Sequence, residues 1–328
     1  MSIAPDDGRW LAAAARLAAR GLPLSRPNPA VGAIVVRDGR VAGRGWTQSG
    51  GRPHAEAVAL AEAGAAARGG VLYVTLEPCA HASARGSACA DVVAAAGLAR
   101  VVIGCLDPDL RTAGQGIDRI RTAGTAVTIF SSPESSASLA GYLMLRNHGR
   151  PYVTLKLALS LDGCIAMSDG SSRWITGAAA RAHGHALRAR QDAILVGGGT
   201  LRADQPLLDV RLPGLESRSP QRWVLTRGAP PAGWRAIVEP QAIFAMADIQ
   251  YLMIEGGAGA AAAFLAADLV DRLIIYRAPI LIGGGQPGLS DIGLTTLNEA
   301  HGRWQSVDNR RLGDDALDVY ERMLCLQE

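Results

Sequence analysis

The chain has 328 residues, more than one average domain, and is 48% hydrophobic against 19% charged, a balance that suits a globular protein with packed cores. Its formal net charge is only +3, and its arginines lie singly among acidic residues with no basic run interleaved with aromatics, so nothing points to nucleic acid. No stretch of about eighteen uninterrupted apolar residues exists, so no membrane span is expected. Five cysteines, an odd number, do not make a disulfide framework, and the cytoplasm is the expected location.

The N-terminal MSIAPDDGRWLAAAARLAARG lacks a basic leader and a continuous apolar run, and reads as a capped amphipathic helix, not a signal peptide. VGAIVV and VAGRGW then flank Arg37-Asp38-Gly39-Arg40, and Asp-Gly between two apolar runs predicts a β-hairpin. A helix is expected from about His54 to Ala67, followed by the strand VLYVTL up to Glu77 and a loop. The helix ADVVAAAGLA, the strand RVVIGC, the helix GIDRIRTAG and the strand AVTIF come next. A hairpin followed by helix–strand units predicts a mixed sheet with helices packed on it.

At Ser131 to Ser138 the composition shifts to SSPESSAS, a short helix is expected over Leu139–Asn147, and Gly149-Arg150-Pro151 marks a boundary between domains 1–148 and 149–328. The second half restarts with YVTLKLAL, a helix near Ala178–Arg190 and the strand DAILV. RWVLT, YLMIEGG, a helix at Ala258–Leu269 and RLIIYRAPI follow, and WQSVD with ALDVYERML predicts a closing hairpin. The whole reads as two α/β domains without internal repeats.

Pro53-His54-Ala55-Glu56 opens a predicted helix, Glu77-Pro78-Cys79 closes a predicted strand, and Cys89 follows. One imidazole and two thiolates make a three-ligand set for Zn²⁺ that leaves a fourth position for water. Residues i and i+2 diverge in mid-helix, so His54 and Glu56 can face one metal only at the first helical turn. Glu56 is then placed to move the water's proton to the leaving nitrogen. His-x-Glu with a later Pro-Cys is recognised as the zinc-deaminase signature. Cys105 lies in a predicted strand and reads as core, and Cys164 and Cys325 as ordinary free thiols.

Nine residues, Ala80 to Ala88, separate the two cysteines, where deaminases of nucleosides or nucleic acid usually have two. With Arg26-Pro27-Asn28-Pro29-Ala30-Val31-Gly32 and Cys79-Ala80-His81, this half resembles the pyrimidine deaminase of riboflavin biosynthesis. Asn28, His54, Glu56, Cys79 and His81 match that family's pattern, while its usual Gly-x-Thr-x-Pro before the last cysteine is replaced by ASARGSA. The resemblance implies substrate contact at Asn28; His81 either contacts substrate or caps the loop.

In the second half Gly197-Gly198-Gly199-Thr200 follows one strand, and Glu255-Gly256-Gly257-Ala258-Gly259 follows another and enters a helix. Such turns bring backbone N–H groups to phosphate oxygens but are also common structural turns. No Gly-x-Gly-x-x-Gly follows the domain's first strand, so a Rossmann domain is not expected. Lys156-Leu157-Ala158, Ser160-Leu161-Asp162-Gly163, Ser172-Arg173-Trp174-Ile175-Thr176, Arg188, Thr200 with Asp204-Gln205-Pro206 and Leu208, and Glu255-Gly256-Gly257 occur in an order that resembles the riboflavin-pathway reductase.

The resemblance to the bifunctional deaminase–reductase family covers nearly the whole chain. It implies a cytidine-deaminase-like three-layer domain followed by a dihydrofolate-reductase-like α/β domain, with Zn²⁺ and NADPH as cofactors. Ala158, Trp174, Thr200, Asp204 and the turn Gly257–Ala263, with Gly257, Ala258 and Gly259, are implied at the NADPH site. Ser172, Arg188, Leu208, Arg211 and Glu255 are implied to hold the phosphorylated substrate, with Lys156 near the sugar. Taken singly, Trp174 and Leu208 read as core and Arg188 as a solvated helix face. Arg227 is a candidate for the adenosine 2′-phosphate, and the stretch from Arg227 to Ile254 predicts an abbreviated strand–helix unit. Phosphorylated pyrimidines are the expected partners and a homo-oligomer (dimer or tetramer) the expected assembly. The rival readings are an active deaminase with an impaired reductase, a nucleic-acid deaminase with an accessory binding domain, and a non-catalytic scaffold.

Overall fold

The computed structural model describes residues 4–81 and 86–323, and the chain divides into two compact units between Gly149 and Arg150. Cys325 and the core of the inter-cysteine loop, 82–85, lie outside the described residues.

In the first unit α1 (Asp7–Ala18) leads into β1 (Gly32–Arg37) and β2 (Arg40–Trp46), then α2 (Ala55–Ala63) and β3 (Val71–Val74). α3 (Cys89–Ala95), β4 (Arg100–Ile103), α4 (Gln115–Thr122), β5 (Ala126–Ile129), α5 (Pro133–Ser138) and α6 (Ala140–His148) complete it. The sheet order is β2-β1-β3-β4-β5, with β1 antiparallel to both neighbours and β3, β4 and β5 parallel. Asp38 and Gly39 take φ values of 50° and 73°, the left-handed pair that a tight hairpin requires.

Alternation along the strands sends Ala33, Val35, Leu72, Val74, Val101 and Ile103 to one face, against α2, α3 and α4. Ile34, Val36, Tyr73 and Val102 face the other side and pack on Leu11 and Ala14 of α1. This gives the three layers. Asp7, fully buried, ties α1 down by pairing with Arg100 at 2.6 Å and accepting from the Tyr73 hydroxyl at 3.1 Å.

Two expectations needed adjustment. The helix expected from His54 stops at Ala63, because Gly64 takes φ 52° and a 3₁₀ turn follows. SSPESSAS, read as a change in composition, holds α5: the Ser132 side chain accepts from Ser135 N–H and Pro133 sits in the first turn.

The second unit contains β6 (Tyr152–Leu159), β7 (Cys164–Ala166), α7 (Ala178–Arg188), β8 (Ala193–Gly197), α8 (Gly198–Asp204), β9 (Gln221–Leu225) and β10 (Arg235–Ile237). β11 (Tyr251–Glu255), α9 (Ala258–Ala266), β12 (Arg272–Arg277), β13 (Gln286–Pro287), β14 (Trp304–Leu312) and β15 (Asp315–Arg322) follow. Its main sheet runs β10-β9-β8-β11-β6-β12-β15-β14, parallel through β12 and antiparallel in the closing hairpin. Strands covered on both faces explain the continuous apolar runs YVTLKLAL and DAILV. One face packs on Ala261 and Phe264 of α9, the other on Ala180 of α7 and on Leu208. The abbreviated unit consists of the three-residue β10 and a 3₁₀ turn over Pro240–Ala245 in place of an α-helix.

The approach of α2 to β2 sets the depth of the first site. A Cβ added at Gly43 would lie 2.2 Å from the Ala59 carbonyl oxygen, and one at Gly45 would lie 2.2 Å from that of Ala55. Only glycine lets the first turn of α2 lie flush on the strand. Gly45→Ala is therefore expected to cost about 1–3 kcal/mol by overpacking. The thermal stability of the first unit should fall while that of the second is kept, and an unchanged melting curve would contradict the assigned contact.

Candidate active sites

His54 is the N-cap of α2, in extended backbone conformation, and Glu56 is the second residue of the helix, so both side chains enter one cavity from its first turn. Cys79 follows β3 on the strand's exit, and Cys89 is the first residue of α3. The Cys89 amide donates to Cys79 Sγ at 3.3 Å, and the Ala90 amide donates to the Cys79 carbonyl at 3.1 Å, which closes the inter-cysteine loop.

His54 Nδ1 lies 3.1 Å from Cys89 Sγ and 3.6 Å from Cys79 Sγ, and the three donor atoms all lie within 4.8 Å of one another. Tetrahedral zinc with its usual Zn–N and Zn–S bonds separates such donors by about 3.5–3.8 Å, so the set fits that ion. On the far side of the ring the Asn28 amide lies 3.0 Å from Nε2 and donates to the Gly51 carbonyl at 2.9 Å, which leaves Nδ1 facing the sulfurs. Hydrogen bonds from Cys89 and His54 draw the Cys79 thiol down to about 4. The same bond to Cys79, reinforced by burial, pushes the Cys89 thiol up. Burial opposes charging His54, but the bond to Cys79 and the Glu56 charge outweigh it and raise its pKa. Glu56 is only 3% exposed, and burial raises its pKa above the usual carboxylate range.

The cavity measures about 300 Å³ and is lined by Asn28, His54, Glu56, Cys79 and His81. The His81 Nδ1 is buried with no hydrogen-bond partner among the described residues. Arg52, Asp107, Asp109, Arg111, Tyr142 and Arg146 also line it, and the sequence reading passed over them. Only one signal pointed there: Asp107-Pro108-Asp109 lies just past the carboxyl end of a parallel strand, where ligands of α/β sheets collect. Cys105 also lies past the end of β4 and is half-buried, with its thiol donating to Leu106 O at 3.4 Å. Glu77 pins this segment by accepting from the amides of Gly114, Asp107 and Ile117 at 3.2, 3.4 and 3.4 Å.

In the second unit a cavity of about 970 Å³ is lined by Lys156, Ala158, Ser172, Trp174, Arg188, Thr200, Asp204, Arg211, Glu255, Gly257, Ala258 and Gly259. Leu208 is the exception. Its side chain is buried with Ile194 and Val196 and is not among the lining, so its expected substrate contact is corrected to core packing. Arg227 is exposed in the loop after β9 and is also not among the lining. No lining residue lies between Leu212 and Glu255, so the abbreviated segment supplies none of this wall.

Arg188 and Glu255 were expected to meet substrate separately, yet they form a bidentate pair, Nε to Oε1 at 2.8 Å and Nη2 to Oε2 at 2.6 Å. Arg188 Nη1 donates to the Asp209 carbonyl at 3.0 Å. Burial alone would raise the Glu255 pKa; Lys156 and the Arg188 bonds outweigh it and hold it low. Lys156 Nζ sits 5.6 Å from the centre of the buried Tyr276 ring, whose hydroxyl is 2.7 Å from His183 Nδ1. Arg181 lies over the exposed Trp174 ring at 4.9 Å. Gly256 and Gly257 take φ values of 81° and 82°, and a Cβ on Gly257 would come within 2.6 Å of Thr200 Oγ1. This bare backbone beside the start of α9 is the kind of surface a dinucleotide phosphate approaches, and the cavity is large enough for a cofactor.

Residues 5–105 match the cytidine and deoxycytidylate deaminase zinc-binding region, and residues 151–235 and 236–317 match the RibD C-terminal domain. The chain is 36% identical over 360 residues to the riboflavin biosynthesis protein RibD of Escherichia coli, covering 94% of this chain and 98% of that one. To the RibD of Aquifex aeolicus it is 33% identical over 355 residues, covering 96% and 98%. Among solved structures, Acinetobacter baumannii RibD superposes with a TM-score of 0.85 at 32% identity, over 97% of this chain and 99% of that one. No helix among the described residues is long and apolar enough to cross a membrane.

Two substitutions probe these sites. Cys89→Ser should strip zinc from the purified protein, and an unchanged metal content would show that another group completes the ligand set. Arg188→Ala should leave Glu255 as an unpaired buried charge and destabilise the second unit by about 3–5 kcal/mol. A melting temperature equal to that of the parent protein would return Arg188 to a solvated helix face.

Proposed function

The chain belongs to the RibD family of riboflavin-biosynthesis proteins, in which a zinc-dependent deaminase is joined to an NADPH-dependent reductase, and on that premise we propose how its residues divide the two reactions. The first is hydrolytic loss of the 2-amino group from 2,5-diamino-6-(5-phosphoribosylamino)pyrimidin-4-one, giving the uracil and ammonia. The second reduces the ribosylamino group of that product to ribitylamino. The observation that carries the first assignment is the imidazole and two thiols within 4.8 Å, with a buried carboxyl beside them.

In the first cavity His54, Cys79 and Cys89 hold the metal. Bound zinc supplies Lewis acidity, which makes a water nucleophilic near neutral pH. Glu56, with a pKa raised by burial, accepts that water's proton and delivers it to the departing nitrogen. Asn28 packs 3.0 Å from the outer nitrogen of the ring and so limits its rotation. The unpartnered Nδ1 of His81 supports a contact with the pyrimidine over a loop-capping role.

In the second cavity Gly257 and the first residues of α9, Ala258 and Gly259, with Ala158, Trp174, Thr200 and Asp204, line the cofactor's place, and NADPH would supply the hydride. Ser172, Lys156, Arg188, Arg211 and Glu255 line the substrate's place. Arg188 is engaged by Glu255 and the Asp209 carbonyl, and Arg211 by the Asp209 carboxylate at 3.3 Å, so the lining cations with no ion pair among the described residues are Lys156 and Arg181. The paired Glu255–Arg188 forms a rigid hydrogen-bonding wall for ribose hydroxyls. Lys156 is placed to give a proton to the sugar as its ring opens.

We also propose a cytoplasmic homo-oligomer, dimer or tetramer, that acts on small phosphorylated pyrimidines and not on nucleic acid. The low net charge of +3 and the lack of a basic stripe support this. Glu56→Gln tests the division of labour. Ammonia release should be lost with zinc retained, while NADPH oxidation on the deaminated compound continues. Ammonia release at the parent rate would remove Glu56 from the chemistry.

A further inference from the structure

The substrate carries its phosphate monoester into both reactions, so the deaminase cavity must accommodate a dianion as well as a neutral pyrimidine. Its floor is taken up by the metal-binding residues and Glu56, which leaves the rest of the lining to receive that charge. The cations stand elsewhere on the lining. Arg52 lies two residues before His54, Arg111 lies in the loop after β4, and Arg146 lies in the last turn of α6.

Their pairing leaves charge to spare. Asp109 is gripped by Arg111, Nε to Oδ1 at 2.9 Å and Nη2 to Oδ2 at 2.5 Å, and Arg146 Nη2 reaches the same carboxylate at 3.6 Å. One carboxylate thus serves two guanidinium groups. Two further carboxyls lie nearby, and neither forms an ion pair with an arginine among the described residues: Asp107 accepts from the Tyr142 hydroxyl at 2.7 Å and from the Asp109 amide at 3.0 Å, and Glu77 accepts from backbone amides. Arg146 lies over the Tyr142 ring at 5.5 Å, which fixes its direction. Arg52 has no ion pair among the described residues; its Nη1 donates to the Ser87 carbonyl at 3.4 Å.

We propose that Arg52, Arg111 and Arg146 clamp the phosphate of the substrate in the deaminase cavity, with Asp109 as a positioning residue that holds two of the guanidinium groups side by side. The clamp deepens the assignment of a phosphorylated pyrimidine as substrate, and rests on it. Guanidinium groups match phosphate oxygens with paired, charge-assisted hydrogen bonds. Asp109 orients its two arginines while neutralising only one of them, so the phosphate meets a net positive charge already in place. The separation of the metal-binding floor from a cationic outer lining selects a substrate with a neutral ring at one end and a dianion at the other.

The test compares ammonia release from the diaminopyrimidine ribosyl phosphate and from its dephosphorylated form, using full-length zinc-loaded protein. The parent protein should prefer the phosphorylated compound. Arg146→Ala and Arg52→Ala should each cut that preference roughly tenfold or more, through KM and not kcat, the size expected for a lost charge-assisted bond. Arg146→Lys should recover part of it as a point charge. The zinc content of the same preparations reports folding of the first unit. Should Arg146→Ala unfold, Arg52→Ala, which has no ion pair to lose, decides the matter. A preference left at the parent value in both variants, or a parent protein that deaminates both compounds equally, overturns the clamp. No ammonia from the phosphorylated compound with parent protein would instead overturn the substrate assignment on which the clamp rests.

Discussion

At the base of the first cavity an imidazole, two thiols and a carboxyl group share a space a few ångströms across, nearly all of it out of water. Such a set is costly to bury unless its members compensate one another or a metal does so. The shifts within it follow from that constraint: Cys79 is drawn toward thiolate, His54 toward the charged form, and Glu56 toward the protonated form. A divalent ion replaces the protons these groups would otherwise share, because it takes the thiolates and the neutral imidazole as ligands and leaves Glu56 to handle protons. The surrounding fold serves that arrangement. Gly43 and Gly45 let α2 sink onto β2, Glu77 pins the segment after β4, and the Cys79 sulfur accepts from the first amide of α3.

The second unit meets the same constraint without a metal. Glu255, at the end of a central strand, is compensated by Arg188 from the last turn of α7 and by the charge of Lys156. The pair is a fixed dipolar wall instead of two free charges, and Arg211 nearby is itself paired with the Asp209 carboxylate at 3.3 Å. On the opposite side of the same strand end, Gly256 and Gly257 present bare backbone beside Thr200.

Much of this was legible in the residues. Period-2 alternation gave the strands, Asp38-Gly39 gave the hairpin, and His54-Ala55-Glu56 with Cys79 and Cys89 gave the metal set, because ligand chemistry restricts residue type and spacing. What sequence could not supply was partnership across the fold. Arg188 and Glu255 are 67 residues apart, and nothing local says that they bind each other. Leu208, with φ 53° at a loop, offered no periodic pattern to show that its side chain turns into the core. Arg52, Arg111 and Arg146 come from three segments whose convergence depends on tertiary packing, and each alone reads as a solvated arginine. SSPESSAS formed a helix because Ser132 and Pro133 start one, although its polar composition suggested only a change of domain.

The central claim is that one chain carries two consecutive reactions on one phosphorylated pyrimidine. The most direct measurement is a single incubation of zinc-loaded protein with the diaminopyrimidine phosphate and NADPH, following ammonia and the cofactor's absorbance together. Ammonia release followed by an equivalent loss of NADPH is the predicted result. NADPH left unconsumed while ammonia accumulates would contradict the reductase half, and neither signal from folded protein would contradict the account as a whole.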